Sequence, residues 1–271
     1  MRTKDKEMKD NKRTVKFIVN DSERWSDFSN DRLAECIKLC VDTRNSPTEE
    51  NIDRLNAFQL IKHTELDENK KRRFRMAIGT YKPGDELLND VFSEIRNVEY
   101  PSLRQVQEAV IILNSLYNTN LQNVITTSRN IKNQIPNLLR RINERDLTVI
   151  DDITRINQQG EDAQFSNKIY SFATKFCSFI NPFYPIFDRF SSNLLFMILN
   201  RSEEQFPLED LGNYRIFCVK YETFLSKYCL DKTNYKDTDT FLWMYGKILV
   251  ASGDMVFDTV SHIDQKDSSN Q

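Results

Sequence analysis

Residues 170–195 read YSFATKFCSFINPFYPIFDRFSSNLL. Ile169, Phe172, Ala173, Phe176 and Ile180 recur at the spacing of one helical face. Asn181-Pro182 ends that helix, because proline restricts the residue before it and donates no backbone hydrogen bond. A short aromatic loop with a second proline, Pro185, follows. Asp188 then stands where the next apolar pattern begins, the position of an N-cap. Lys175 lies roughly 120° from the middle of the first helix's apolar stripe, at about 100° per residue. The expectation is a helix-flank lysine with its stem on the core and its ammonium in water. Partial desolvation there would lower its pKa and free some neutral amine. A lysine and an aspartate joined across a helix-loop-helix pair an amine nucleophile with a carboxylate that manages charge and protons.

The same helical grammar runs outward from this segment. Ser46-Pro47-Thr48-Glu49 reads as an N-cap, a proline at the first helical position and a capping-box glutamate, ahead of Ile52, Leu55, Phe58 and Ile61. Ser102 with Gln105 repeats the pattern before Val106, Val110, Leu113 and Tyr117. Thr148 with Asp151 resembles another start and Gly160 a stop. Leu33, Ile37 and Cys40 suggest an earlier helix. Tyr214, Phe217, Tyr221, Phe224 and Tyr228 form a later amphipathic stripe, and a last helix is expected from Asp237 to Val250. A short strand is weakly suggested over Thr14–Val19. The expected fold is all-α. Its expected parts are a flexible tail over 1–20, a helical lobe over 21–160, a helical core over 161–252 and a second tail over 253–271.

Composition narrows the chemistry. Among 271 residues, 6 glycines and 7 prolines are too few for a sheet-rich fold with many tight turns. Charges are balanced, 38 basic against 40 acidic, so no global field advertises nucleic acid, although a local basic face remains compatible with it. No apolar run approaches the length of a membrane span, and the charged start MRTKDKEMKDNKR has no apolar signal core. The five cysteines, Cys36, Cys40, Cys177, Cys218 and Cys229, read as reduced core thiols of a cytoplasmic protein. His63 and His262 alone offer too little for a zinc site or a serine–histidine triad. No metal and no small-molecule cofactor is expected.

Lys175, Phe176, Phe179, Pro182, Pro185, Ile186 and Asp188 resemble the lysine-to-aspartate core of the helix-hairpin-helix DNA glycosylases. The likeness is greatest to bacterial proteins with an 8-oxoguanine-glycosylase-like fold. Asp239, Leu242, Trp243, Gly246 and Lys247 resemble the D-x-x-L-W-x-x-G-K helix of similar proteins. Together these cover about residues 165–250. The resemblance implies that Lys175 attacks the anomeric carbon of a flipped-out nucleotide in double-stranded DNA. Asp188 would then help generate the nucleophile and stabilise the cationic sugar. Phe183, Tyr184, Phe187 and Trp243 are the candidate stacking surface for the base, although aromatics at such positions are more often core. Two departures stand out. The G-x-G turn that holds DNA phosphate in these enzymes has no counterpart in Ile169–Thr174, and the spacing from Lys175 to Asp188 is short. Lys70, Lys71, Arg72, Arg73 and Arg75 form a basic run that could bind the DNA backbone instead, with Arg140-Arg141 a weaker patch. A solvated helix face is the simpler account of that run in a chain that is 29% charged. The expected function is a DNA glycosylase, with or without AP-lyase activity, associated with the nucleoid. The alternative is a non-catalytic helical nucleic-acid-binding or interaction protein that retains only the fold.

Overall fold

A computed structural model describes residues 16–17, 22–79, 81–119, 121, 123–155, 167–201, 205–230 and 235–256. The fold is all-α. Helices α1 (Asn30–Asn45), α2 (Glu49–Phe58), α3 (Glu68–Ile78), α4 (Tyr81–Arg96), α5 (Leu103–Tyr117) and α6 (Val124–Asn143) form the first part. They are followed by α7 (Thr148–Arg155), α8 (Asn167–Ile180), α9 (Arg189–Asn200), α10 (Tyr214–Lys227) and α11 (Tyr235–Ser252). The strand expected near residue 16 is confined, among the described residues, to β1 (Lys16–Phe17). It pairs antiparallel with β2 (Met255–Val256), Lys16 opposite Val256 and Phe17 opposite Met255. Residues 1–15, 18–20 and 257–271 of the expected tails, and the stop expected at Gly160, lie outside the described residues.

Helix α8 sits at the centre. It packs against α4, α5, α6 and α7, while α11 packs against α1 and α9. A single apolar core runs through both halves of the chain. The capping box at Ser102 forms as expected: Gln105 N donates to Ser102 Oγ, and Ser102 N donates to Gln105 Oε1. The start of α2 is corrected by two residues. Ser46 ends α1, its carbonyl accepts Thr48 N, and the Thr48 hydroxyl accepts Asn51 N at 3.2 Å to cap α2. α7 begins at Thr148, with Asp146 accepting both its amide and its hydroxyl.

The D-x-x-L-W-x-x-G-K segment has a geometric meaning. Leu242 is core, and Gly246 lets α11 cross α9 closely. A Cβ built at Gly246 would stand 2.9 Å from the Phe190 carbonyl oxygen, closer than real carbons approach. Of the cysteines, Cys229 is not a core thiol. It is exposed, just past α10, with a left-handed φ of 55°.

Candidate active site

Two local features set the positions of Lys175 and Asp188. The α8–α9 turn is short, and Asp188 caps α9: its Oδ1 accepts the amides of Phe190 and Ser191, both at 2.9 Å. A capping carboxylate has little rotational freedom, which leaves Oδ2 in a fixed direction. That oxygen lies 3.9 Å from Lys175 Nζ. Lys175 is not a flank lysine reaching water. It is 4% exposed, because Tyr117 of α5, the Asp188 cap and Asp239 of α11 close over the edge of α8 that periodicity leaves open. Its ammonium donates to Ser171 Oγ at 2.6 Å, one turn earlier, and lies 5.5 Å from the Tyr117 ring centre. Burial holds the amine below the ordinary lysine range, opposed by the charges of Asp188 and Asp239.

Both side chains line a cavity of about 270 Å³, together with Tyr81, Tyr117, Trp243 and Asp239. Tyr81 and Trp243 meet edge to face at 4.5 Å, and Lys247 Nζ lies 4.1 Å from the Trp243 ring centre. Behind Tyr117 a polar network fixes the wall. The Tyr117 hydroxyl donates to Asp85 Oδ1 at 2.6 Å, Arg44 pairs with Asp85, and Arg44 Nη1 donates to Thr240 Oγ1 at 2.8 Å. Burial, with the Asp85 charge, raises the Tyr117 phenol far above its ordinary value. Asp239 is 7% exposed; Ile186 N donates to its Oδ2 at 3.2 Å, while Oδ1 is buried without a hydrogen bond. The Tyr221 hydroxyl, beside Asp239, gives its proton to the Tyr235 carbonyl instead. Burial pushes the Asp239 carboxyl well above the carboxylate range.

The expected stacking set is therefore only partly at the cavity. Trp243 lines it. Tyr184 is fully buried, its hydroxyl donating to the Asp146 carbonyl, and Phe187 packs between Tyr170 and Phe217. These two are core and offer no face to a ligand. Phe183 is 43% exposed, packs on Tyr235 and lies off the cavity wall. Tyr81, Tyr117, Arg44, Asp85 and Asp239 are site residues that the sequence reading gives no role. For Tyr81 and Asp85 the available signal is their shared face of α4, four residues apart.

The basic run on α3 is largely neutralised. Lys71 Nζ lies 2.5 Å from both Asp53 and Glu68, Lys70 pairs with Asp67 at 3.8 Å, and Arg75 with Glu49 at 3.6 Å. Phe74 is buried and anchors the helix, whereas Arg72 and Arg73 are exposed. Arg141 is held by Asp146 and Asp152, and Arg140 by Glu144. Among the described residues, no group of three or more His, Cys, Asp or Glu side chains is arranged to hold a metal ion, and no helix is long and apolar enough to cross a membrane.

The family described as HI_0787_N, N-terminal domain, matches residues 58–184, less than half of the chain. An uncharacterized protein of Haemophilus influenzae is 29% identical over 187 residues, which span 68% of this chain and 82% of that protein. No solved structure matches. The matched family segment supplies Tyr81, Asp85, Tyr117 and Lys175 to the cavity, and it stops before Asp188.

Proposed function

We propose that this protein is a DNA glycosylase acting through Lys175 and Asp188, with AP-lyase activity following from the amine. One observation carries the reading: a buried lysine with a depressed pKa sits 3.9 Å from a fixed carboxylate on the wall of an aromatic-lined cavity. The neutral amine attacks C1′ and forms a C–N bond. The glycosidic bond breaks with its electrons leaving on the base, and Asp188 takes the proton lost by the amine. The carboxylate also faces the positive charge that develops on the sugar. Tyr81, Tyr117 and Trp243 provide aromatic surface for an extruded base. In this reading the protein works in the cytoplasm, on double-stranded DNA at the nucleoid.

The test is borohydride trapping on duplex DNA that carries a preformed abasic site. The abasic aldehyde condenses with the Lys175 amine, releasing water, and the reductant converts the imine to a stable amine link. Wild type becomes covalently attached to the DNA; absence of any adduct would leave the non-catalytic helical protein as the reading. Asp188→Asn keeps the α9 cap, since asparagine caps as well as aspartate. It also removes a charge that raises the Lys175 pKa. The trapping rate follows free amine, so its pH midpoint moves to lower pH in this variant. An unchanged midpoint would show that Asp188 does not act on the amine.

DNA affinity offers a separate check. Arg72→Ala with Arg73→Ala leaves folding intact, because both side chains are exposed. If the pair contacts phosphate, the slope of log affinity against log salt becomes shallower by roughly 2 on duplex DNA. Identical salt titrations for wild type and double variant would assign α3 to solvent alone.

A further inference from the structure

Resting on the glycosylase reading, we infer that Asp239 is the proton donor of this site: a neutral carboxyl that hands its proton to the departing base. The two carboxyls in the cavity have different surroundings. Asp188 receives two backbone amides and faces the lysine. Asp239 receives one amide, from Ile186, and keeps Oδ1 buried without a partner. A buried polar atom with no hydrogen bond is rare enough to call for an explanation. Two carboxyls near one lysine cannot both be stabilised as anions in a closed cavity, and the one with fewer donors is the one that keeps its proton.

The groups facing Asp239 from the neighbouring elements agree. Lys175 on α8 and Asp188 at the start of α9 act on it with opposite signs. Tyr214, Cys218 and Tyr221 on α10 are themselves pushed toward their neutral forms by burial, and the Tyr221 hydroxyl beside Asp239 works against the raised value. Burial dominates, and Asp239 titrates well above the carboxylate range. The step balances as follows. The Lys175 amine bonds to C1′, and the glycosidic electron pair goes to the base nitrogen. That nitrogen takes the Asp239 proton, leaving a carboxylate, while Asp188 receives the proton shed by the amine.

Asp239→Asn tests this, because asparagine still accepts the Ile186 amide but carries no acid proton. Wild type and variant are compared on duplexes carrying 8-oxoguanine, hypoxanthine or 5-fluorouracil, and on preformed abasic DNA. Trapping on abasic DNA involves no leaving base, so it falls less in the variant than base release does. Base release falls about 100-fold or more for poor leaving bases, the scale of a lost general acid. The fall is smallest for 5-fluorouracil, whose anion leaves without a proton. Wild type that neither traps nor releases a base overturns the glycosylase reading itself. Wild type that traps while the variant releases every base normally overturns only the role of Asp239. So does trapping by wild type with no base released, since a proton donor then has no step to act in.

Stability supplies a readout independent of substrate. A carboxyl whose folded pKa is raised favours the fold below its unfolded value of about 4, and that contribution is lost as pH rises toward the folded pKa. The variant has no such linkage. Its stability relative to wild type therefore increases from pH 4 toward neutral, and a flat difference over that range would mean that Asp239 is ionised in the fold.

Discussion

Lys175→Ala abolishes borohydride trapping, reducing the adduct to the level seen with no protein. No other described residue places a primary amine on the cavity wall within 4 Å of Asp188. The substitution also destabilises the fold, because it leaves Asp188 in a largely buried site without its cation. Losing one partner of a buried ion pair costs about 3–5 kcal/mol. Lys175→Met shares the loss of the cation but spares the packing, and so keeps more of the fold than alanine does. It fills the same volume with an unbranched apolar chain, removes the nucleophile and keeps the packing against α4 and α5. The expected result is a folded Lys175→Met protein, by circular dichroism and thermal melting, that forms no adduct. A Lys175→Met protein that still traps would assign the nucleophile to another amine, with Lys236, which also lines the cavity, the first to be replaced.

Gly246→Ala is the second large effect, and it acts through helix packing rather than on a reacting group. The new Cβ would stand 2.9 Å from the Phe190 carbonyl oxygen and 3.1 Å from Phe190 Cβ. Neither atom is the free end of a flexible side chain, so α11 must move away from α9. Overpacking of this kind costs typically 1–3 kcal/mol, even though alanine is the better helix former. In a chain of this size that lowers the melting temperature by roughly 2–4 °C per kcal/mol. Because α9 carries Asp188 at its cap and α11 carries Asp239 and Trp243, the shift also widens the cavity. Unchanged melting in Gly246→Ala would show that the helices have slack at this crossing.

The parts of this molecule that obey local rules are legible in the sequence. Asp188 as a cap, the Asn181-Pro182 stop and the Ser102–Gln105 box each depend on residues within a turn of one another. Lys175 is read wrongly as a flank residue, because its burial comes from side chains of other elements, Tyr117, Asp188 and Asp239 among them, and not from the periodicity of α8. Tyr184 and Phe187 are misassigned for the opposite reason. Their aromatic character is visible, but the direction of a loop side chain is set by the Asp146 carbonyl and by Tyr170 and Phe217, which are distant in sequence. α4 escapes notice because Pro83 and Gly84 sit in its first turn, where proline does not break a helix. Asp239 is visible in a motif, yet its role depends on a cavity that only tertiary packing creates.

The turn between α8 and α9 divides the site along the chain. The segment shared with the HI_0787_N family ends at residue 184, inside that turn. A gene fragment cut there would transmit the amine and most of the aromatic wall while leaving the carboxylate that faces it behind. The nucleophile and its carboxylate therefore belong to opposite sides of one turn, and the chemistry exists only while both sides stay in a single chain.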